Sequence, residues 1–397
     1  MRAAALRTTA ASTQARRFTA AAIGTLVCLS AQADTLRVGP NEAFTRIADA
    51  AKVARDGDTV EILPGEYRGD VAVWKQRRLH IRGTGEGPVL IADGHIAEGK
   101  AIWVLREGDF LIDNIEFRGA RAADQNGAGI RFERGRLEVR NSTFIDNQNG
   151  ILTANSADAE LIVRDSLFAQ APRQDASLPH LLYVGRIARF ELTGSRFHQG
   201  YRGHLVKSRA RLNDIRYNLL YDGALGESAY ELDLPNGGLA YVIGNIIGQS
   251  ANTRNPVLVS YGAEGQAWPQ SALYLVHNTL VSDRHTGTLF LRAWTDRLPE
   301  NAEIVGINNL SVGLGSLTLA NRGAYRGNLP LPPGALHGPD ALDFRPRNAQ
   351  LLRSLITPAS DAHGISLEPD AEFALPIGTR PLDRPRAWAP GAVQTGF

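Results

Sequence analysis

Residues 203–223 read GHLVKSRARLNDIRYNLLYDG, with Arg202 immediately upstream. Lys207, Arg202, Arg209, Arg211 and Arg216 crowd a stretch whose apolar residues alternate as in a strand, and His204 stands beside them. Cations at this density suit the carboxylates of an acidic polymer, with Arg offering paired hydrogen bonds and Lys a point charge. On a uronate, such binding leads to β-elimination. A cation offsets the carboxylate charge and acidifies the adjacent C5 proton. A neutral Lys, Tyr or His removes that proton, and a second group protonates the leaving glycosidic oxygen.

Segments far apart in sequence supply such partners. We align ILTAN on Leu152, HLLYVG on Leu182, HLVKSR on Val206, YELDLP on Leu232, PVLVSY on Leu258 and TLFLRA on Phe290, taken as inward residues. Alternation then predicts an outward column of Thr153, Tyr183, Lys207, Asp233, Val259 and Leu291. Strands in register lie about 4.8 Å apart, so Tyr183, Lys207 and Asp233 become neighbours on one face. A second column, two residues before the inward one, holds His180, His204 and Tyr230. Parity tilts it inward, but its place at the strand start lets it flank the same groove. The candidate catalytic residues are therefore Lys207, Tyr183, His204, Tyr230 and Asp233. The candidate substrate contacts are His180, Arg209, Arg211, Arg216, Glu231 and Asn236.

Plainer readings exist for each. Lys207 and Asp233 also fit a solvated surface ion pair, and the histidines fit satisfied strand-end residues. The tyrosines fit stacking positions, and Arg211 and Arg216 fit solvent contacts. Asn236 lies in DLPNGG, first a tight-turn signal and then a wall for the groove. Glu264, in YGAEG at the end of the next strand, is a further acid.

A repeat must position these groups. IDNIEF, VRNSTF, VRDSLF, LTGSRF, IRYNLL, VIGNII, LVHNTL and VGINNL share one pattern: apolar, two variable, small or amide, then apolar two further on. The fourth position reads Ile115, Ser142, Ser166, Ser195, Asn218, Asn245, Asn278 and Asn308, at spacings of 27, 24, 29, 23, 27, 33 and 30. Such a period means stacked units, and runs this short and alternating are strands. The fold class is all-β: a right-handed parallel β-helix, a single-stranded solenoid of roughly ten coils over residues 34–330. In the Ser/Asn column, amides tolerate the left-handed turn and bond from coil to coil. Ahead of the repeat, about 41–55 predicts an amphipathic helix with Phe44, Ile47, Ala48, Ala51 and Ala54 on one face, capping the first coil. Residues 331–397 lose the pattern and are expected to wrap the solenoid as irregular chain.

The helix, DGDTVEILPGEYRG, the asparagine repeat and DFRP resemble the pectin-lyase-like right-handed β-helix proteins of bacteria over nearly all of the chain after residue 33. VKSRARLNDIRYN is also similar to the catalytic-strand text of the alginate and chondroitin lyase β-helix family. That resemblance implies Lys207 as the base. Two features depart from it. The next coil offers Tyr230, Glu231, Leu232 and Asp233 where that family supplies an Arg acid, and its calcium-placing acidic pair is not evident.

Composition bounds the rest. Residues 1–33 hold Arg2, Arg7, Arg16 and Arg17, no acid, an apolar run and Ala31-Gln32-Ala33, which predicts a secretory signal peptide and a periplasmic or secreted protein. Cys28, the single cysteine, falls inside it, so the exported chain is held by its core without disulfides. With 43 basic and 41 acidic residues overall and four basic ones in the leader, the remainder carries 39 against 41, about −2, which gives no argument for nucleic acid. No later segment is long enough for a permanent membrane anchor. There is no phosphate loop, G-x-S-x-G, H-E-x-x-H or zinc spacing. The reading is a monomeric lyase on an acidic polysaccharide, with no cofactor. Two alternatives remain: a β-helix hydrolase using Asp233, Glu231 and Glu264, and a binding protein using the same groove.

Overall fold

A computed structural model describes residues 33–174, 178–353, 355–383 and 389–395. The predicted leader, apart from Ala33, lies outside the described residues.

The alternating runs form strands that pair in parallel with their counterparts one coil away. One face is an 11-stranded sheet running from Gly65–Arg68 to Leu329–Leu331. The other two faces join in one 20-stranded sheet, because Ala101–Asp113 and Ala128–Arg140, each 13 residues long, pass from one face to the next without a break. Inward side chains stack in columns. Phe117, Phe144, Phe168 and Phe197 are buried and stack face to face at 5.1, 4.6 and 4.6 Å. Each such pair adds about 0.5–1.5 kcal/mol beyond its area burial.

The polar column forms a continuous internal ladder. Backbone N–H groups of Ser142, Ser166, Ser195, Asn218, Asn245 and Asn278 each donate to the side-chain oxygen one coil on, at 2.9 to 3.2 Å. Two details differ from the sequence reading. The last full rung is Asn309, not Asn308. The left-handed residue is the one before each rung: Asn114, Asn141, Asp165, Gly194, Tyr217, Gly244, His277 and Asn308 have φ between 46° and 65°. The sharp turn thus falls on the preceding residue, and the rung amide is left to bond.

The predicted helix is shorter than 41–55, spanning Ile47–Val53, because Phe44 bridges to Val38 instead of entering a helical turn. Ile47, Ala50 and Ala51 are buried. The carboxylate of Asp70 accepts the first N–H groups, from Ile47 at 2.6 Å and Ala48 at 3.0 Å, so a residue of a neighbouring coil satisfies this helix start.

Beyond the last coil the chain makes two antiparallel pairs, Leu336–Gly338 with Asp343–Pro346 and Ala371–Phe373 with Thr379–Pro381, and a helical turn at Ala349–Leu352. Leu336, Phe344 and Leu352 pack with Leu219, Ile246 and Leu310, which the 11-stranded sheet supplies.

Candidate functional site

Three strands carry the cluster: His180–Val184, His204–Ser208 and Tyr230–Leu234. Their register sets Tyr183 against Lys207 and Lys207 against Asp233, as expected. At both ends the column slips by one residue. It runs on to Leu152, Ser260 and Arg292, where alternation had predicted Thr153, Val259 and Leu291. The cause is local. Within a strand two successive residues face the core, as Leu181 and Leu182, Leu205 and Val206, or Leu258 and Val259 do, so alternation restarts partway. The same restart turns His180 and His204 outward onto the face of Lys207. Their rings lie 4.7 Å apart, His180 contacts the Tyr183 ring at 5.1 Å, and Tyr230 packs edge-on against His204 at 4.9 Å.

The charges here are largely enclosed, which rules out a solvated pair. The side chains of Lys207 and Asp233 are 11% and 3% exposed. Lys207 Nζ lies 2.8 Å from Glu264 Oε1 and 3.8 Å from Asp233 Oδ2. Arg209 Nη1 reaches Glu264 Oε2 at 2.5 Å, and its Nε donates to the Tyr183 hydroxyl at 3.1 Å. A single carboxylate therefore bridges both cations. Burial raises the Glu264 carboxyl, but the hydrogen bonds from Lys207 and Arg209 outweigh it and bring the pKa below the usual range.

Two neutral imidazoles stand beside this bridge. Burial, then the charges of Lys207 and Arg209, push His180 down to about 3. Burial, then His180, Lys207 and Arg209, hold His204 well below its ordinary value. Burial pushes Asp233 up to about 6, against the pull of Lys207. One hydrogen bond fixes the tautomer of His180. His180 Nδ1 accepts the His204 backbone N–H at 2.9 Å, so its proton sits on Nε2. His204 Nδ1 faces Asp233 Oδ2 at 3.4 Å. Once Asp233 is ionised, Nδ1 carries the proton and the lone pair lies on Nε2.

Three predicted contacts fall elsewhere, and a fourth, Asn236, sits behind the cluster. Glu231 is fully buried, its Oε1 accepting the Ser228 hydroxyl at 3.0 Å. Burial, then Asp222, raises its pKa well above the carboxylate range, which makes it a protonated core group. Asn236 is also buried and acts as a brace. It accepts from Arg209 at 3.0 Å and donates to the Gly265 carbonyl at 2.7 Å, so it aims Arg209 and ties down the Glu264 loop. Arg216 belongs to Leu212–Arg216 on the adjoining face and pairs with Asp214 at 2.5 Å. Arg211 is exposed on the turn between the two strands.

Trp268 was not foreseen. Its Nε1 donates to the Arg209 carbonyl at 3.0 Å, and the Arg186 guanidinium stacks 4.1 Å from its ring centre. It lies in a loop, where no periodicity marks it. Calcium finds no cradle here. Both Glu264 oxygens are engaged by cations, Asp233 is enclosed beside Lys207, and among the described residues no three His, Cys, Asp or Glu side chains gather as ligands.

No family model and no curated protein matches this sequence. Among solved structures it is similar to a pectate lyase, Pel9A, with 11% identity over 91% of this chain and 96% of that one, and a TM-score of 0.55. It is also similar to AlyGC, an alginate lyase of family PL6, with 15% identity over 75% of this chain and 40% of that one, and a TM-score of 0.46. The chain shares the fold of that pectate lyase, a right-handed parallel β-helix. At such identities the likeness establishes the fold, and the chemistry has to be argued from the site.

Proposed function

We propose that this protein is an exported lyase that cleaves a uronate-containing polysaccharide by β-elimination, in a groove crossing the coils of Tyr183, Lys207 and Asp233. The observation that carries this reading is the Lys207–Glu264–Arg209 bridge. Two enclosed cations already grip a carboxylate, and a neutral imidazole backed by Asp233 stands beside them. A substrate carboxylate takes the place of Glu264, whose side chain is 41% exposed and sits on a loop. Arg209 and Lys207 then stabilise the charge that develops as C5 loses its proton. His204 Nε2 takes that proton, and Asp233 stabilises the imidazolium. The C4–O4 bond breaks, C4 and C5 become doubly bonded, and O4 is protonated. Tyr183 suits this last step, since its hydroxyl accepts from Arg209 and keeps its own hydrogen to give. Lys207, salt-bridged on two sides, serves as a cation in place of the base that the resemblance implied. Tyr230 holds the His204 ring, the helix Ile47–Val53 caps the first coil, and residues 1–33 direct export.

Hydrolysis fits less well, because it needs two carboxyls flanking the bond. Glu231 is buried in the core and Glu264 is held by cations. The test is to incubate the protein with polygalacturonate, alginate, hyaluronate and chondroitin and follow the absorbance of the unsaturated uronate. A rise with one polymer that Lys207→Ala lowers by ~10²–10³-fold is the expected result. Reducing ends without that absorbance establish hydrolysis, and retention of a polymer without turnover establishes a binding protein.

A further inference from the structure

We infer that Lys100 and Arg131 form a second carboxylate-binding station, which holds the same acidic polymer a few sugars away from the catalytic cluster. The inference rests on the uronate-polymer reading of the cluster and extends it to a separate site. Arg131 belongs to the cluster's own outward column, which runs Arg131, Leu152, Tyr183, Lys207 in register. Three coil steps separate Arg131 from Lys207, roughly 14 Å along the axis.

The chemistry of the cluster recurs at this end. Lys100 Nζ donates to Glu133 Oε1 at 2.8 Å, and Arg131 contacts the same carboxylate, Nε to Oε1 at 3.3 Å and Nη2 to Oε2 at 3.4 Å. Both stations are thus a Lys and an Arg sharing one glutamate, with a carboxylate already in place. The Arg131 side chain is 21% exposed and that of Lys100 41%, so both are open to a ligand. A groove of about 430 Å³ is lined by Lys100, Arg131, Leu152, Asn155 and Tyr183. Asp124 lines it too and accepts the Asn126 backbone N–H at 3.0 Å. Tyr183 belongs to both sites, because its hydroxyl also meets Arg209. Leu152, 8% exposed, lies on the floor between the stations. An extended polymer bearing carboxylates at intervals satisfies both stations at once. A disaccharide satisfies only one.

Lys100→Gln and Arg131→Gln, singly and together, test this, with Arg134→Gln as a control: Arg134 pairs with Asp158 at an exposed position. Two readouts are needed. One is KM and kcat on the polymer that the wild type cleaves. The other is retardation in native gels cast with polygalacturonate, alginate, hyaluronate or chondroitin, which reads binding without turnover. The expected result is a KM about tenfold higher in the double variant, an unchanged kcat and weaker retardation, with the control like wild type. A misfolded variant would lose kcat instead, and the single variants then decide. Unchanged KM and retardation in a wild type that is active overturn the second station and leave the lyase reading standing. Weaker retardation of the double variant, from a wild type that binds without turnover, supports the station and removes the lyase chemistry. A wild type that neither binds nor cleaves any of the four polymers overturns both.

Discussion

At the scale of single residues, the pair His204–Asp233 sets the pH dependence of the proposed reaction. His204 stays neutral far below neutrality, so its own protonation cannot limit activity near pH 6. Asp233 does titrate there, pushed up to about 6 by burial. Above that pH its charge holds the Nδ1 proton and leaves Nε2 as base; below it, the orientation and the imidazolium stabilisation are lost. We therefore expect kcat/KM on the cleaved polymer to fall as pH drops through about 6. Asp233→Asn should give a low rate with no such limb. A limb that persists in the variant would assign the titration to another group. The neighbours Tyr183, Lys207 and Asp233 were legible in the sequence, because each follows the inward apolar residue, Leu182, Val206 or Leu232, on which the strands align. The burial of Glu231 was not. It has the same parity as Asp233, and only the double inward step before Leu232 turns it into the core. Glu264 and Trp268 were weak or silent in the sequence for a different reason: a loop folded over a sheet carries no period that places it.

At the scale of elements, the asparagine ladder ties the coils together inside the solenoid. Asn245 Oδ1 accepts from the Asn218 backbone N–H at 3.0 Å and its side-chain amide at 2.9 Å, while its own amide donates to the Ile215 carbonyl at 2.8 Å. These groups are fully buried. Asn245→Ala would take the acceptor from the Asn218 N–H and a donor from the Ile215 carbonyl, and each orphaned group costs ~1–3 kcal/mol; the Asn218 amide keeps the Leu192 and Arg216 carbonyls. The expected loss is several kcal/mol, read as a lower denaturation midpoint with little change in m-value. Asn114→Ala offers the contrast. It sits at φ 58° on the partly exposed outer turn, where it bonds the Gly83 and Gly85 carbonyls, so its loss should cost less. An equal loss at both would mean that the interior position carries no special weight. The repeat made this ladder readable down to Asn278. It failed at Asn308 because two adjacent asparagines offer the same amide, and only the pairing of Val276 with Ile307 selects Asn309.

At the scale of the whole molecule, the buried titratable groups oppose one another. His80, His180, His198, His204 and His277 have pKa values lowered by burial, to about 3 for His180 and about 4 for His198 and His277. On acidification through 6.5 the unfolded chain binds protons at these five and the folded chain does not, so stability falls. Asp165, Asp222, Glu231, Asp233 and Asp283 are raised, to about 6 for Asp222 and Asp233. Between that value and the ordinary carboxylate range the folded chain holds protons that the unfolded chain releases, so stability rises on acidification. Each uncompensated proton changes stability by about 1.4 kcal/mol per pH unit. From about pH 6 down to the ordinary carboxylate range the two sets oppose each other, Asp222 and Asp233 at about 6 acting against His180, His198 and His277. Below it the unfolded carboxylates protonate as well, and the histidines no longer have a counterweight. Glu133, Glu138 and Glu264, whose pKa values are lowered by their cationic partners, then add to the loss. The melting temperature should fall less steeply between pH 6 and 5 than below about 4.5. Glu231→Gln should flatten the decline on the alkaline side, since the raised carboxyl is what the folded chain must deprotonate there. A melting temperature that already falls steeply from pH 6.5, in the wild type, would mean that the buried acids do not offset the histidines and that Asp222, Glu231 and Asp233 are ionised in the folded protein.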